Sequence, residues 1–146
     1  MKIKFKFFIF VFLIISYISA VFYISFTQSE YCVSFKTEQS KYAVSANNDF
    51  TIPVTVKNRG KTVLDSDKDF FLSYHLLDVK GNLIVFDGVR TPFSKKIEIF
   101  DNTTENLLIS KLQPGEYYLQ LDIVQEGVCW FSQKKTEPEY VYLMVN

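Results

Sequence analysis

The feature that most constrains this chain is an uninterrupted apolar run near its N-terminus. Residues 7–26 read FFIFVFLIISYISAVFYISF, twenty residues without a charge, a proline or a glycine. A helix of about 20 apolar residues, rising about 1.5 Å per residue, spans a hydrocarbon layer about 30 Å thick. The run has no polar face, so it does not match a helix packed on the surface of a soluble domain. It therefore predicts a single transmembrane helix.

The charges beside this run predict its orientation. Lys2, Lys4 and Lys6 precede it, and basic residues that flank a span tend to stay in the cytoplasm. We therefore expect a single-pass protein of the cytoplasmic membrane, which it contacts through residues 7–26, with an extracytoplasmic C-terminal domain. A cleaved signal peptide is the alternative, because Ile18-Ser19-Ala20 offers a small residue at a candidate cleavage site. The apolar run continues past that site, however, which favours an uncleaved anchor.

The rest of the chain has the length and charge of one small domain. We divide the sequence into a signal anchor or signal peptide at 1–26, a spacer at 27–30 and a domain at 31–146. A domain of this length usually has a single hydrophobic core. Three of the 16 basic residues precede the apolar run, so the remainder has a net charge of −3. Nucleic acid binding requires a basic surface, so this balance argues against a nucleic acid partner.

The sequence of the domain predicts an all-β fold, because no segment after residue 30 has the periodicity of a long amphipathic helix. Glycine-centred turns such as Lys80-Gly81-Asn82 separate short β-rich runs. Side chains alternate along residues 51–56 and 117–123, so each run has one face for a core. The candidate strands are 31–36, 50–57, 70–78, 83–86, 96–100, 106–110, 116–125, 128–133 and 140–145.

Short strands joined by tight turns predict an immunoglobulin-like antiparallel β-sandwich. Residues 112–117, LQPGEY, match the approach to a tyrosine corner, in which the hydroxyl of Tyr117 bonds upstream backbone. An ordinary core tyrosine is the alternative. Cys32 and Cys129 fall on the side of the membrane where disulfides persist. Two alternatives stay open for them, a bridge that closes nearly the whole domain or two separate buried thiols.

The sequence contains no convincing catalytic or metal-binding constellation. Its one histidine, His75, has no metal-ligand spacing around it, and the glycine-rich nucleotide and nucleophile motifs are missing. Ser73 shares a strand face with His75, but no neighbouring acid completes a triad. The alternate aspartates of residues 65–69 resemble half of a calcium loop without its glycine and closing glutamate, which favours a solvated turn. We therefore expect no enzymatic activity, no metal and no cofactor.

One cluster of aromatic and polar residues is the candidate ligand-binding site. Its members are His75, Asp87, Arg90, Glu126 and Trp130. If the even-numbered residues of the strand at 70–78 face the core, His75 points outward and can meet Asp87, Arg90 or Glu126. Such a cluster is either a salt-bridged patch that fixes loop geometry or a ligand surface of aromatic and polar groups.

The same region resembles a known module. The segments SYHLLDVKGNLIVFDGVRTPF and LQPGEYYLQLDIVQEGVCWFS are similar to an uncharacterised β-sandwich module of bacterial polysaccharide-assembly proteins. That module is found fused to membrane glycosyltransferases or methyltransferases, or alone. The resemblance covers residues 50–145. It implies a setting in envelope polysaccharide or glycolipid processing and implies no activity.

These observations give three functional hypotheses. The first is a non-catalytic extracytoplasmic binding or accessory module, with a glycan or an envelope protein as its partner. The second is a protein-interaction module, such as a chaperone, inhibitor or complex subunit, that uses an exposed sheet edge. The third is a glycan hydrolase with Asp122, Glu126 or His75 as acid or base, which requires a cleft that holds two of them. An aromatic platform ringed by amides and carboxylates favours sugars, whereas an exposed apolar edge favours proteins.

Overall fold

The computed structural model describes residues 2–27, 29–134 and 136–146, and in the N-terminal segment it describes the side chains of residues 9–23. A long helix, α1 (Lys2–Thr27), precedes the β-rich body. Among the described residues, no helix has both the length and the apolar character that a membrane span requires. The hydrophobic core contains no described side chain of α1, so the body supplies its own core.

The described part of the body contains ten strands and two single-turn 3₁₀ helices. The 3₁₀ turns are Ser66–Lys68 and Phe131–Gln133. The strands are β1 (Val33–Thr37), β2 (Lys41–Val44), β3 (Phe50–Asn58), β4 (Phe70–Asp78), β5 (Leu83–Val85), β6 (Thr91–Pro92), β7 (Asn102–Ile109), β8 (Gly115–Gln125), β9 (Cys129–Trp130) and β10 (Glu139–Val145).

These strands form two sheets that enclose the core. One sheet has the order β1-β3-β7, and the other has the order β2-β10-β8-β4-β5, with β6 beside β4 and β9 beside β8. Neighbouring strands are antiparallel except β2 and β10, which are parallel. In immunoglobulin-like domains the strands A, B and E face C, F and G. Here β1, β3 and β7 face β4, β8 and β10 in the same way, which confirms the predicted immunoglobulin-like sandwich.

The core follows from the alternation of side chains. Ile52 and Val54 of β3 and Leu119 and Leu121 of β8 are buried in the same cluster. Burial of each large apolar side chain stabilises the fold by about 1.5 to 3 kcal/mol. Tyr117, near the start of β8, packs on this core, and its hydroxyl donates to the carbonyl of the fourth residue upstream at 3.1 Å. This is the contact that a tyrosine corner makes.

The prediction of a strand at 96–100 is wrong. Within it, Ile97 alone pairs, in an isolated bridge with Leu64. Asn58 explains this, because its buried side-chain amide donates to the carbonyl of Ile97 at 3.0 Å. The backbone carbonyl of Asn58 also accepts from the N–H of Phe100 at 3.0 Å. Phe100 then turns the chain with a φ of 68°, and β7 begins two residues later, earlier than the predicted 106.

Two further differences concern short elements. The strand predicted at 128–133 stops after Trp130 and continues as a 3₁₀ turn, because the N–H of Ser132 bonds to the side chain of Asp122 at 3.0 Å. The sequence does not predict β2 or β6. β2 is four residues with Lys41 and Ala43 exposed, and β6 is two residues, so neither has a recognisable apolar pattern.

The aspartates at 65–69 are used by the fold. Asp65 caps the first 3₁₀ turn by accepting from the N–H of Asp67 at 3.1 Å, and its second oxygen lies 3.1 Å from the ammonium of Lys96. Burial alone would raise the pKa of Asp65, but the hydrogen bonds from Lys96 and Asp67 lower it. Among the described side chains, no group of three or more potential ligands is placed to hold a metal ion.

The hairpin from β4 to β5 is closed by the side chain of Asp78. Its carboxylate accepts from the backbone N–H groups of Lys80 and Asn82, both at 2.8 Å, and from the side-chain amide of Asn82 at 2.7 Å. These hydrogen bonds, the one from the Asn82 side chain foremost, lower the pKa of Asp78 below its ordinary value of 3.8.

We expect the Asp78 carboxylate to make the stability of the hairpin depend on acid pH. A carboxyl group whose folded pKa is lowered stabilises the fold fully above its ordinary pKa, and this contribution is lost as the pH falls through the folded pKa. Asp78→Asn should therefore flatten the acid limb of the free energy of unfolding, measured by urea titration at a series of pH values. An acid limb identical to that of the wild type would contradict this role.

Candidate functional site

The candidate site lies on the outward face of β4 and β8, the central strands of the larger sheet. Their register places Ser73 beside Asp122 and His75 beside Gln120. Because Tyr74 and its even-numbered neighbours on β4 face the core, His75 points to the opposite side, as the sequence predicts. His75 is nevertheless only 4% exposed, because residues 86–90 and β9 cover it. His75 therefore faces away from the core and is covered from solvent by Phe86 and Trp130.

His75 is enclosed by two aromatic rings and two acceptors. The ring centroid of Phe86 lies 4.9 Å away in a stacked arrangement, and that of Trp130 lies 4.4 Å away. The Nδ1 atom bonds to the carbonyl oxygen of Phe86, and Nε2 lies 3.1 Å from a carboxylate oxygen of Asp122. Each ring nitrogen of His75 therefore lies beside one oxygen atom.

Asp122 joins this histidine to the turn after β9. The carboxylate accepts from the N–H of Ile123 at 2.8 Å and from the N–H of Ser132 at 3.0 Å, besides its contact with His75. It is fully buried. Sequence analysis does not predict this contact, because Asp122 becomes a neighbour of His75 only through the register of β4 and β8.

Arg90 joins three of the other predicted residues. Its Nε atom bonds to the carboxylate of Glu126, and one terminal nitrogen lies 2.5 Å from Asp87 and 2.7 Å from the carbonyl of Gly88. The guanidinium carbon lies 5.0 Å from the ring centroid of Trp130, within cation–π range. Burial alone would lower the pKa of Arg90, but the hydrogen bonds with Glu126 and Asp87 raise it. None of these polar groups bonds directly to the histidine, so that predicted contact is wrong.

A pocket of about 290 Å³ opens between residues 86–90 and the turn from β8 to β9. All of the predicted residues line it except His75, which lies beneath the indole ring. Gln125 and Gln133 add side-chain amides, and Phe86 adds an apolar ring. The carbonyl oxygen of the Gln125 side chain is buried and receives no hydrogen bond from the described residues. The pocket therefore combines an aromatic wall with amide, carboxylate and guanidinium groups.

The pair of His75 and Asp122 is closed to substrates. Their side chains are 5% and 0% exposed, so a reactant reaches neither while Phe86 and Trp130 are in place. In the structure Asp122 lies beside Ser73 and His75, an acid that sequence analysis does not predict there. The hydroxyl of Ser73 is buried as well and bonds to no described residue, so the three side chains do not form a working triad.

The two cysteines are unbridged in the structure, with Cys129 buried and Cys32 partly exposed. Cys129 is buried beside the pocket. Burial raises the pKa of its thiol, and the nearby Asp122 and Glu30 raise it further, against the opposing effect of Lys134. A thiol with a raised pKa stays protonated at neutral pH and is a weak nucleophile.

The larger sheet has a second outward surface, which we call the tyrosine face and which sequence analysis does not identify. It consists of Tyr118 on β8 with Tyr140, Tyr142 and Met144 on β10. The rings of Tyr118 and Tyr142 meet edge to face with centroids 5.6 Å apart, and the hydroxyl of Tyr140 donates to Gln120 at 3.4 Å. Alternation in the β10 sequence is the signal that predicts this face, because Val141, Leu143 and Val145 are buried.

No protein-family model and no curated protein matches the sequence. Among solved structures, the CARDB domain of a Pyrococcus furiosus protein, in complex with di-metal ions, has 15% identity and a TM-score of 0.46, with 82% of this chain and 97% of that chain covered. The PapD-like domain 7 of human CEP192 has 13% identity and a TM-score of 0.38, with 81% and 85% covered. Neither similarity assigns a function to this chain.

We expect Asp122→Ala to destabilise the domain by about 3 to 5 kcal/mol, because it leaves His75 and the N–H of Ser132 without their acceptor inside the fold. Urea unfolding followed by the emission of Trp130, the one tryptophan of the chain, measures this loss. Glu139→Ala is the control, since Glu139 is an exposed acid on β10, and surface changes stay within about 0.5 kcal/mol. Equal stability of the two variants would contradict the structural role of Asp122.

Proposed function

We propose that this chain is a non-catalytic extracytoplasmic module that binds a glycan, in a setting of envelope polysaccharide or glycolipid processing. The observation that carries the proposal is the pocket of about 290 Å³ with an aromatic wall and a polar rim. Ligand sites are concave, with apolar walls and a small number of placed polar groups. The family resemblance of residues 50–145 supports the setting, and the pocket supports the ligand class.

The polar groups of the rim suit a hydroxylated ligand. Sugar hydroxyls both donate and accept, and the rim offers carboxylate and amide oxygens beside the N–H groups of amides. Gln125 lines the pocket and adds a side-chain amide to it, with its carbonyl oxygen buried. Two carboxylates, Asp87 and Glu126, surround the single guanidinium of Arg90, so a neutral sugar is favoured over an anionic ligand. The half-exposed ring of Phe86 can pack against the apolar face of a sugar.

The state of the acidic groups supports a binding role over hydrolysis. A hydrolase needs two groups within proton-transfer reach of a bound substrate. Glu126 is engaged by Arg90, and Asp122 is covered together with His75. The rim therefore presents ion-paired carboxylates that accept hydrogen bonds, without a free acid–base pair beside the ligand.

We expect the full chain in detergent to bind neutral oligosaccharides on an array of bacterial envelope glycans. Gln125→Ala should weaken binding up to about tenfold, because one hydrogen bond contributes about 0.5 to 1.5 kcal/mol. A titration followed by Trp130 emission measures this effect at the pocket itself. Gln120→Ala is the matched control, since Gln120 is on the same strand outside the pocket. Absence of glycan binding, or equal effects of the two variants, would contradict the proposal.

We also propose that residues 7–26 anchor the module in the cytoplasmic membrane with a single pass. The support is in the sequence, in the twenty residues without charge and the three lysines before them. A cleaved signal peptide would place the body on the same side of the membrane, so the binding role does not depend on this choice.

The topology predicts the behaviour of reporters fused after Asn146. Alkaline phosphatase, which requires the oxidising side of the membrane, should be active there, whereas a cytoplasmic fluorescent protein should be dark. Replacement of Lys2, Lys4 and Lys6 by glutamate should reduce the phosphatase signal, because the charge difference that orients the span is reversed. A bright fluorescent fusion with inactive phosphatase would contradict the orientation, and the intact mass distinguishes an uncleaved from a cleaved leader.

A second candidate function is a protein-interaction module. One observation favours it: β5, at the edge of the larger sheet, exposes the apolar side chains of Leu83 and Ile84. Strand addition at such an edge uses backbone hydrogen bonds for affinity and side-chain contacts for specificity.

A further inference from the structure

Among the described residues, four strands end the two main sheet orders, namely β1, β7, β2 and β5, and the two-residue strands β6 and β9 also border one strand each. An open edge presents unpaired backbone groups, so proteins protect edges with charged or polar side chains. Three edges have this protection. Lys36 is exposed on β1 and Lys41 on β2, and β7 exposes Asn102, Thr104 and Asn106. The fourth edge, β5, differs from all of them.

β5 is exposed and apolar. Leu83 and Ile84 are 54% and 51% exposed, and Phe86, which follows the strand, is 49% exposed. Residues 83–86 contain no charge and no proline. Within the described residues, β4 is the one strand that borders β5, so the other side of β5 is open. A free edge with this composition is a template for another strand.

We infer that β5 pairs with β5 of a second copy of this chain, antiparallel, across a two-fold axis near Ile84. A two-fold interface requires a patch that is complementary to itself. In this arrangement the residues before Ile84 lie beside those after it in the partner, and residues 83–86 offer only apolar side chains to one another. The inference does not require glycan binding, although Phe86 and Asp87 belong both to the edge region and to the pocket.

The charges that flank β5 fit a second copy as the occupant. Lys80 precedes Ile84 by four residues, and Asp87 follows it by three. In an antiparallel pair centred on Ile84, Asp87 of one copy lies opposite Gly81 of the other, one position from Lys80. The side chain of Asp87 is 68% exposed, so it can accept this contact and retain its ion pair with Arg90.

Sedimentation of the full chain in detergent micelles, over a range of protein concentrations, tests the inference. The wild type should form a dimer whose population rises with concentration. Ile84→Lys should raise the dissociation constant at least tenfold, because it places two ammonium groups beside the axis. Met144→Lys is the matched control, since Met144 is 42% exposed on β10, away from β5. This control should sediment like the wild type, and equal melting temperatures would show that both variants fold.

A charge exchange tests the antiparallel arrangement itself. Lys80→Glu alone should weaken the dimer, because at each of the two contacts it places a new carboxylate near Asp87 of the other copy. The double variant Lys80→Glu, Asp87→Lys should restore the dimer towards the wild-type dissociation constant. Loss without restoration would overturn the arrangement.

Two other outcomes would overturn the inference as a whole. One is a wild-type chain that stays monomeric at every concentration, which would leave the edge to a different protein. The other is a dimer that Ile84→Lys does not weaken, which would place the contact on α1 or on another face. Neither outcome bears on glycan binding, so a failure here is distinct from a failure of the proposed function.

Discussion

The pairing of β4 with β8 is the contact on which both faces of the larger sheet depend. Its register runs from Phe70 with Gln125 to Asp78 with Tyr117. Leu72 and Leu76 therefore face the core, and the alternate positions face outward. A slip of one residue would exchange the two faces, and it would move the buried polar pair of His75 and Asp122 into an apolar core. The apolar pattern and the polar pair thus specify the same register.

The polar pair has a structural consequence beyond that register. Burial of charged groups has a large desolvation cost, so such a pair adds little net stability, although removal of one partner is costly. The carboxylate of Asp122 also accepts a hydrogen bond from the N–H of Ser132, and at this contact β9 ends and the 3₁₀ turn begins. His75 supports Trp130 from beneath. The wall of the pocket is therefore held by residues that a ligand does not touch.

The sequence predicts those parts of the fold that depend on local alternation and turns. β3, β4, β8 and β10 appear close to their predicted ranges, because each has apolar side chains at every second position. The segment 96–100 has a similar pattern but is not a strand, since the buried side chain of Asn58 binds the carbonyl of Ile97. No local pattern shows that a residue 39 positions away takes this role. The same limit applies to His75, whose cover comes from Phe86 and Trp130.

Phe86 links the two surfaces that the function concerns. Its ring stacks on His75 and lines the pocket, while its backbone continues directly from the open strand β5. The three residues of β5 and the hydrogen bonds of Asp78 hold this segment against β4, together with the contacts of Phe86 with His75. A contact that orders β5 therefore also orders one wall of the pocket, and a ligand that fixes Phe86 restrains β5 in return. Thermodynamic linkage makes this effect reciprocal, with a size set by how far the position of Phe86 differs between the free and bound states.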